Sequence, residues 1–451
     1  MSEPVSLESA TSQTRCSADK RLRRRHRAEQ RFRAYGLVAI GLALLTLGIL
    51  FASIVIRGSG AFFHSVVSME IYFDPELVDP AGQRTPESLG AGNYAALVKR
   101  RLRELFPEVT GRKDERRLYR LLSNGAAYEL RDAVLGDPNL VGRTATLELA
   151  LSDDADLYLK GHVSRDISED DRKLRNHQLG WLDALAESGA VKTEFNWAFL
   201  LSGDSREPEL AGIGGAFVGS LLTLLITLLL CFPLGVASAI YLEEFAPKSR
   251  WTDLIEININ NLAAVPSVIF GILGLSIFLG TFGLPRSAPL VGGLVLGIRT
   301  LPIVIISARA ALAAVPPSIR EAAMAIGASP LQVVGHHVMP HAIPGILTGT
   351  IIGMAQALGE TAPLLMIGMV AFVVDIPTGL DSPATVLPVQ IFLWADAPER
   401  AFAEKTAGAV LVLLALLVSM NASAIWLRQR FEQRSVAPRT ARLRCKSRRL
   451  D

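Results

Sequence analysis

The apolar positions of this chain are not dispersed with a helix or strand rhythm; they are gathered into blocks. The first, YGLVAIGLALLTLGILFASIVI at 35–56, carries no charge. Further blocks follow at about 212–242, 254–282, 288–308, 342–372 and 406–427. An α-helix needs roughly 20 apolar residues to cross a hydrocarbon core about 30 Å thick, so the pattern predicts six membrane-crossing helices. A cleaved signal peptide is the rival reading of 35–56. That run is longer than an ordinary signal core and lacks a small-x-small cleavage site, which favours an uncleaved anchor. Between 57 and 208 the pattern changes, with charges of both signs throughout and no block long enough to span. VVSMEIYF (66–73), TATLELAL (144–151) and ADLYLKG (155–161) alternate as strands do. NYAALVKRRLRELF (93–106) and EDDRKLRNHQLGWLDALAE (169–187) carry helix-spaced apolar positions. The expected architecture is an all-α polytopic membrane protein with an inserted α+β domain outside the membrane.

Charge sets the orientation. The net charge of the 451 residues is only +3, which gives no reason to expect a nucleic-acid partner. The basic residues crowd instead at the two ends. Lys20, Arg21, Arg23, Arg24, Arg25, Arg27, Arg31 and Arg33 precede the first block. Arg428, Arg430, Arg434, Arg439, Arg442, Arg444, Lys446, Arg448 and Arg449 follow the last. Positive residues stay on the cytoplasmic side, so both tails, 1–34 and 431–451, are expected there, the first without regular structure. Lys248 and Arg250 then fall inside, whereas the acid-rich 373–405 loop, with Asp375, Asp381, Asp396, Glu399 and Glu404, falls outside. Trp251 and Trp426 land at cytoplasmic span ends, where indole rings favour the headgroup zone. The remaining organisation is an extracytoplasmic 57–208 domain and a five-helix core at 209–430, surrounded by lipid in a cell inner membrane. The three cysteines, Cys16, Cys231 and Cys445, are spaced for neither a framework disulfide nor a metal site.

One loop has more structure than a connection requires: AALAAVPPSIREAAMAIGASPLQVVGHHVMPHAIPG, at 310–345. Pro316 and Pro317 interrupt the preceding helix. Ser318 and Glu321 have capping-box spacing, and Gly327 is suited to end the helix so begun. Ser329, Pro330 and Gln332 repeat the start signal. Two short helices joined by a glycine turn are expected at the cytoplasmic surface. They serve either as a plain connection between spans or as a docking knob for a cytoplasmic partner; a DNA-reading helix-turn-helix pinned between two spans has no easy way into a groove. No phosphate loop of the Gly-x4-Gly-Lys-Ser/Thr type occurs in the chain. No catalytic residues and no cofactor are therefore expected here.

Glu321-Ala322-Ala323, then Gly327, then Met339-Pro340 resemble the EAA loop of ABC importer permeases. In that family the loop seats in a cleft of the ATP-binding subunit, which implies coupling roles for Glu321, Ala322, Ala323, Gly327 and Pro340. The stretches 263–275, 299–323 and 345–368, with LPVQIFLWA at 387–395, are similar to PstA-type permeases of phosphate importers. The resemblance covers about 210–430; residues 57–208 resemble an extra segment of some proteobacterial members. It implies an ATP-binding cassette subunit that holds the ATP, a second permease subunit, an extracytoplasmic phosphate-binding protein and phosphate as cargo. Many relatives place an arginine where this chain has Gln356, which leaves Arg299 and Arg309 as basic candidates for the pathway, with Glu360 the retained acid. An Arg299–Glu360 ion pair that only ties helices together remains the competing reading. Asn258, Asn260 and Asn261 are expected as interhelical hydrogen-bonding groups. His336, His337 and His341 lack a nearby acid or cysteine, so no metal is expected. The alternatives are another oxyanion such as sulfate or molybdate, a receptor-like signalling protein, or a gradient-driven transporter, which would need no such hairpin.

Overall fold

The computed structural model describes residues 7–436 except 164, 166, 167 and 371. The arginines expected to anchor the C-terminal tail beyond Val436, and Cys445, lie outside the described residues. The chain forms two compact units, one ending at Arg57 and the other beginning at Gly58.

The first unit is built on a single helix, Leu7–Gly58. The basic block expected to be unstructured is helical. Its arginines, lysines and glutamates are good helix formers, and joining the apolar run spares them a separate nucleation. Leu37, Leu42, Leu45 and Phe51 are all exposed on this helix. A helix apolar on every side needs a non-aqueous surrounding.

The second unit opens with β1 (Phe63–Tyr72), which is flanked by β2 (Thr144–Ala150) and β3 (Val191–Phe195) in an antiparallel sheet of order β2-β1-β3. The register pairs Val67 with Leu149 and Phe63 with Phe195. Val67, Met69, Ile71 and Phe73 pack beneath Leu102, Leu118, Leu130 and Leu182 from four surrounding helices. Of residues 155–161, expected as a strand, 155–159 belong instead to the helix Asp153–Leu159 and the last two form the turn after it. Its first turn holds Asp153, Asp154 and Asp156, which favour the positive end of a helix. The helix expected from 169 starts only at Asn176.

The rest is helical: Gly214–Ile240, Pro289–Ala313, Met339–Leu358 and Arg400–Val436 are the long members. Glycines let them approach closely. A Cβ at Gly345 or Gly353 would lie 2.7 Å from Ala311 or 2.9 Å from Thr300, and one at Gly349 would overlap Ser307. That one-face spacing is the small-xxx-small seam of membrane helices. Gly293 and Gly297 meet Ile226 and Leu230 in the same way.

Two expected spans are not continuous. The 254–282 block forms Arg250–Ala263 and a second helical piece, Ser267–Thr281, bent by 99°. Pro266 stands at the break and holds the backbone extended (φ −55°, ψ 136°). The 342–372 block ends as a helix at Leu358, and a short helix, Ala362–Met366, follows the turn at 359–361. These two breaks pack together, with Gly271 against Pro363 and Met366. Among the described residues, five helices are long and apolar enough to cross a membrane, or six if the bent pair counts as one span.

Candidate functional site

The hairpin at 317–333 is built almost entirely from local signals. Its first helix runs Pro317–Ala325 and ends in a Schellman motif. The Gly327 N–H donates to the Met324 carbonyl at 2.9 Å and the Ala328 N–H to the Ala323 carbonyl at 3.2 Å. Gly327 has φ +89°, a value that glycine adopts without strain. Ser329 then caps the next helix. Its Oγ accepts the Gln332 N–H at 3.4 Å and Gln332 Oε1 accepts the Ser329 N–H at 2.9 Å, a complete capping box. Ser318 is not a cap: Pro316 occupies that position with extended backbone and Pro317 takes the first helical place. Nor does the second helix stop short. A π-turn, Val334–Val338, joins Pro330–Val333 to Met339–Leu358, so Pro340 is the second residue of a long helix.

Ala323 is buried beside Leu312, Val315, Val333 and Val338, while Glu321 and Ala322 are exposed. The tip is apolar and open: Ile326 is 80% exposed, Leu331 73% and Met324 51%. Arg320 anchors this tip to the body. Its Nη2 donates to Glu244 Oε1 at 2.6 Å and to the Leu312 carbonyl at 3.0 Å. Its Nε reaches both Glu244 oxygens at 3.2 Å, and its Nη1 donates to the Val315 carbonyl at 2.6 Å. The hydrogen bonds that Arg320 donates to Glu244 hold its pKa above its ordinary value. Glu244 sits in the π-turn Tyr241–Phe245 that ends Gly214–Ile240; π-turns often mark functional positions. Arg309 is a neighbouring strut, 2.7 Å from Glu256 and 3.4 Å from Glu243.

The second constellation lies where the helices break. Arg299 Nη2 is 2.5 Å from Glu360 Oε1, with side chains 12% and 18% exposed. Glu360 occupies the turn just after Met339–Leu358, so one carboxylate ties the broken helix to Pro289–Ala313. Arg299 Nη1 is buried with no acceptor. Gln356 is exposed one turn earlier on the same helix. The fold thus brings together two candidates, Arg299 and Glu360, and separates Arg309 from them.

Other expectations fall elsewhere. Asn258 donates to the Leu254 carbonyl of its own helix at 2.7 Å, and Asn258, Asn260 and Asn261 are all exposed, so within this chain they do not bind helix to helix. His336 and His341 contact the carbonyls of Gln332 and His337. Among the described residues no cluster of three or more His, Cys, Asp or Glu is arranged for a metal ion.

Residues 231–436 match the model of the binding-protein-dependent transport system inner membrane component, and residues 19–169 match a domain of unknown function, DUF3333. The chain is 30% identical over 232 residues to the phosphate transport system permease protein PstA 1 of Mycobacterium tuberculosis, covering 51% of this chain and 75% of the relative. The PstA protein of Mycobacterium leprae is 32% identical over 233 residues, with the same coverages. This chain belongs to the PstA-type ABC permease family. The PstA protein of Yersinia pestis is 32% identical over 211 residues, 69% of its length. A methionine ABC transporter in an inward-facing form overlays on 49% of the chain at TM-score 0.39 and 16% identity, too low to carry a structural argument.

Both constellations of this multi-pass inner-membrane permease fall inside the matched 231–436 segment. The residues that sequence reasoning overlooked are the glutamates. Glu243, Glu244 and Glu256 hold the two arginine struts, and the only signal was an acidic pair, Glu243-Glu244, directly after an apolar run. The seam between the α+β segment and the last long helix holds another overlooked group. Lys160 Nζ lies 2.7 Å from Asp156 and 2.9 Å from Glu404, and buried Lys405 donates to the Ala211 carbonyl at 2.9 Å. These contacts pin the α+β segment to the last helix.

Proposed function

We propose that this permease forms half of the translocation pathway of an ATP-driven phosphate importer. A second permease completes the pathway, an ATP-binding cassette subunit binds and hydrolyses ATP, and an extracytoplasmic binding protein delivers the ion. The chain itself catalyses no reaction. The observation that carries the reading is the hairpin, with its exposed apolar tip of Met324, Ile326 and Leu331 held rigid by the glycine turn and the Arg320–Glu244 pair. A loop that only connected two spans would have no use for an apolar knob in water. Phosphate as cargo is supported by the relatives' names, and by a mostly buried arginine beside two helix breaks. Broken helices are where transporters place their substrate groups. An arginine tempered by one acid balances attraction against release.

The topology that goes with this function has six spans, counting the bent pair as one. Both tails and the 310–345 loop are cytoplasmic, and 57–208 is an extracytoplasmic domain. Reporter fusions at residues 130 and 330 should report opposite sides; the same side for both sinks the topology. For the pathway, phosphate uptake and complex yield are measured for Arg299→Gln, Glu360→Gln and the double variant. A pathway arginine predicts an assembled complex without uptake in Arg299→Gln, and no rescue by the second substitution. Recovered uptake in the double variant would show that the pair only joins helices.

A further inference from the structure

Arg172 is a buried charge of the α+β segment with few partners among the described residues. Only 7% of it is exposed, yet its Nε and Nη1 have no hydrogen-bond acceptor. Its Nη2 alone is engaged, by Asn176 Oδ1. A buried guanidinium with most of its donors unused is costly unless an anion completes it. Beside it lies a cavity of about 160 Å³, lined also by Asp154, Lys173, Pro398 and Arg400. That is far more than the ~10–15 Å³ one water requires. Among the described residues that line the cavity, three cations meet a single carboxylate. Burial, aided by the neighbouring Asp153 charge, pushes the Asp154 pKa above the usual carboxylate range, while Lys173 and Arg400 pull it back. Lys173 stands 3.7 Å from Asp154 and is itself half exposed, so it is not committed to that acid.

We propose that Arg172, Lys173 and Arg400 form a binding site for a phosphate-type oxyanion at the seam between the α+β segment and the start of the last long helix. Arginine suits such a ligand because its planar donors match phosphoryl oxygens. The seam has an additional consequence. Arg172 and Lys173 come from the α+β segment and Arg400 from the first turn of Arg400–Val436, so a bound anion ties the two parts together. Arg400 also begins the last apolar helix, where lipid headgroups would lie; the phosphoryl group of a lipid and free phosphate offer the same chemistry. The site is separate from the Arg299–Glu360 pair and does not depend on phosphate being the cargo.

The test uses the full-length chain in nanodiscs of phosphatidylcholine alone, titrated with inorganic phosphate. Amide hydrogen exchange is followed in peptides covering 168–180 and 396–404. Saturable slowing in both peptides is expected. In Arg172→Gln the phosphate concentration for half-protection should rise about tenfold or more, the size of a lost charged hydrogen bond. Arg400→Gln and Lys173→Gln should shift it in the same direction by less. These two residues are exposed, so they carry the test if Arg172→Gln does not fold. Discs containing phosphatidylglycerol separate the sources: protection already complete without added phosphate assigns the site to a lipid headgroup. If neither phosphate nor phosphatidylglycerol slows exchange in the wild type and the folded variants exchange no faster than it in phosphatidylcholine, or if the folded variants respond to phosphate as the wild type does, the proposal is wrong. The readout needs no uptake, so its failure leaves the import reading untouched.

Discussion

Arg320 and Arg299 each meet one glutamate at close range, 2.6 Å and 2.5 Å, but their surroundings differ. Arg320 has every nitrogen engaged: the Glu244 oxygens and the carbonyls of Leu312 and Val315 accept from Nε, Nη1 and Nη2. Arg299 has Glu360 and a buried Nη1 with no acceptor. A guanidinium held at all three nitrogens has little left to offer a ligand and acts as a strut. An unsaturated one keeps binding capacity, and its single acid partner is easier to exchange. The contrast separates the hairpin, whose arginine is held on several sides, from the helix breaks, whose arginine keeps donors free.

The comparison can be broken most directly at Arg320. Arg320→Ala leaves Glu244 mostly buried and uncompensated, a loss of about 3 kcal/mol. A lower melting temperature of the purified complex, and ATP hydrolysis that no longer responds to the binding protein, are the expected readouts. Arg320→Lys keeps the charge without the fork and should fall between the two. Next come double-mutant cycles on each pair. Thermal stability should give a coupling of about 2–3 kcal/mol for Arg320–Glu244 and below about 1 kcal/mol for Arg299–Glu360. Equal couplings would remove the distinction drawn above.

Smaller effects sharpen the account of the hairpin. A Cβ at Gly327 meets nothing within 4 Å, so the cost of Gly327→Val is backbone strain at φ +89° alone, about 1–2 kcal/mol. Assembly should survive while transport falls; Gly327→Asp should behave similarly, and normal transport by Gly327→Asp together with Glu321→Ala would refute the coupling role. Ser329→Ala should cost about 1 kcal/mol as a lost cap. Ser318→Ala, at an exposed position without a cap bond, should stay within about 0.5 kcal/mol. Thermal melts of the two serine variants side by side measure that difference; equal losses would mean the cap has been misplaced.

What could be read in advance followed the range of the interaction. Gly327, Ser329 and Gln332 act on neighbours three or four residues away, and their roles were legible. Ser318 was misread because two consecutive prolines offered two starts, and backbone geometry favoured the earlier. ADLYLKG at 155–161 is too short for its periodicity to separate strand from helix. The aspartates after Ser152 were the better signal, since they favour a helix start. Pro266 within the 254–282 block was a visible breaker, although composition alone would carry the span straight through it.

The sequence by itself determined that apolar blocks would become membrane helices, because an unbroken apolar surface has no stable place in water. It also determined the glycine turn, since few other residues hold φ +89° without strain. The tertiary structure alone decided which charges meet. Glu244 and Arg320 are 76 residues apart, and Lys160 and Glu404 are 244 apart. Such pairs depend on helix directions set by close glycine packing and by the breaks near Pro266 and Gly359. The acceptors that those directions bring to each guanidinium then decide which arginine is satisfied and which is left with donors to spare.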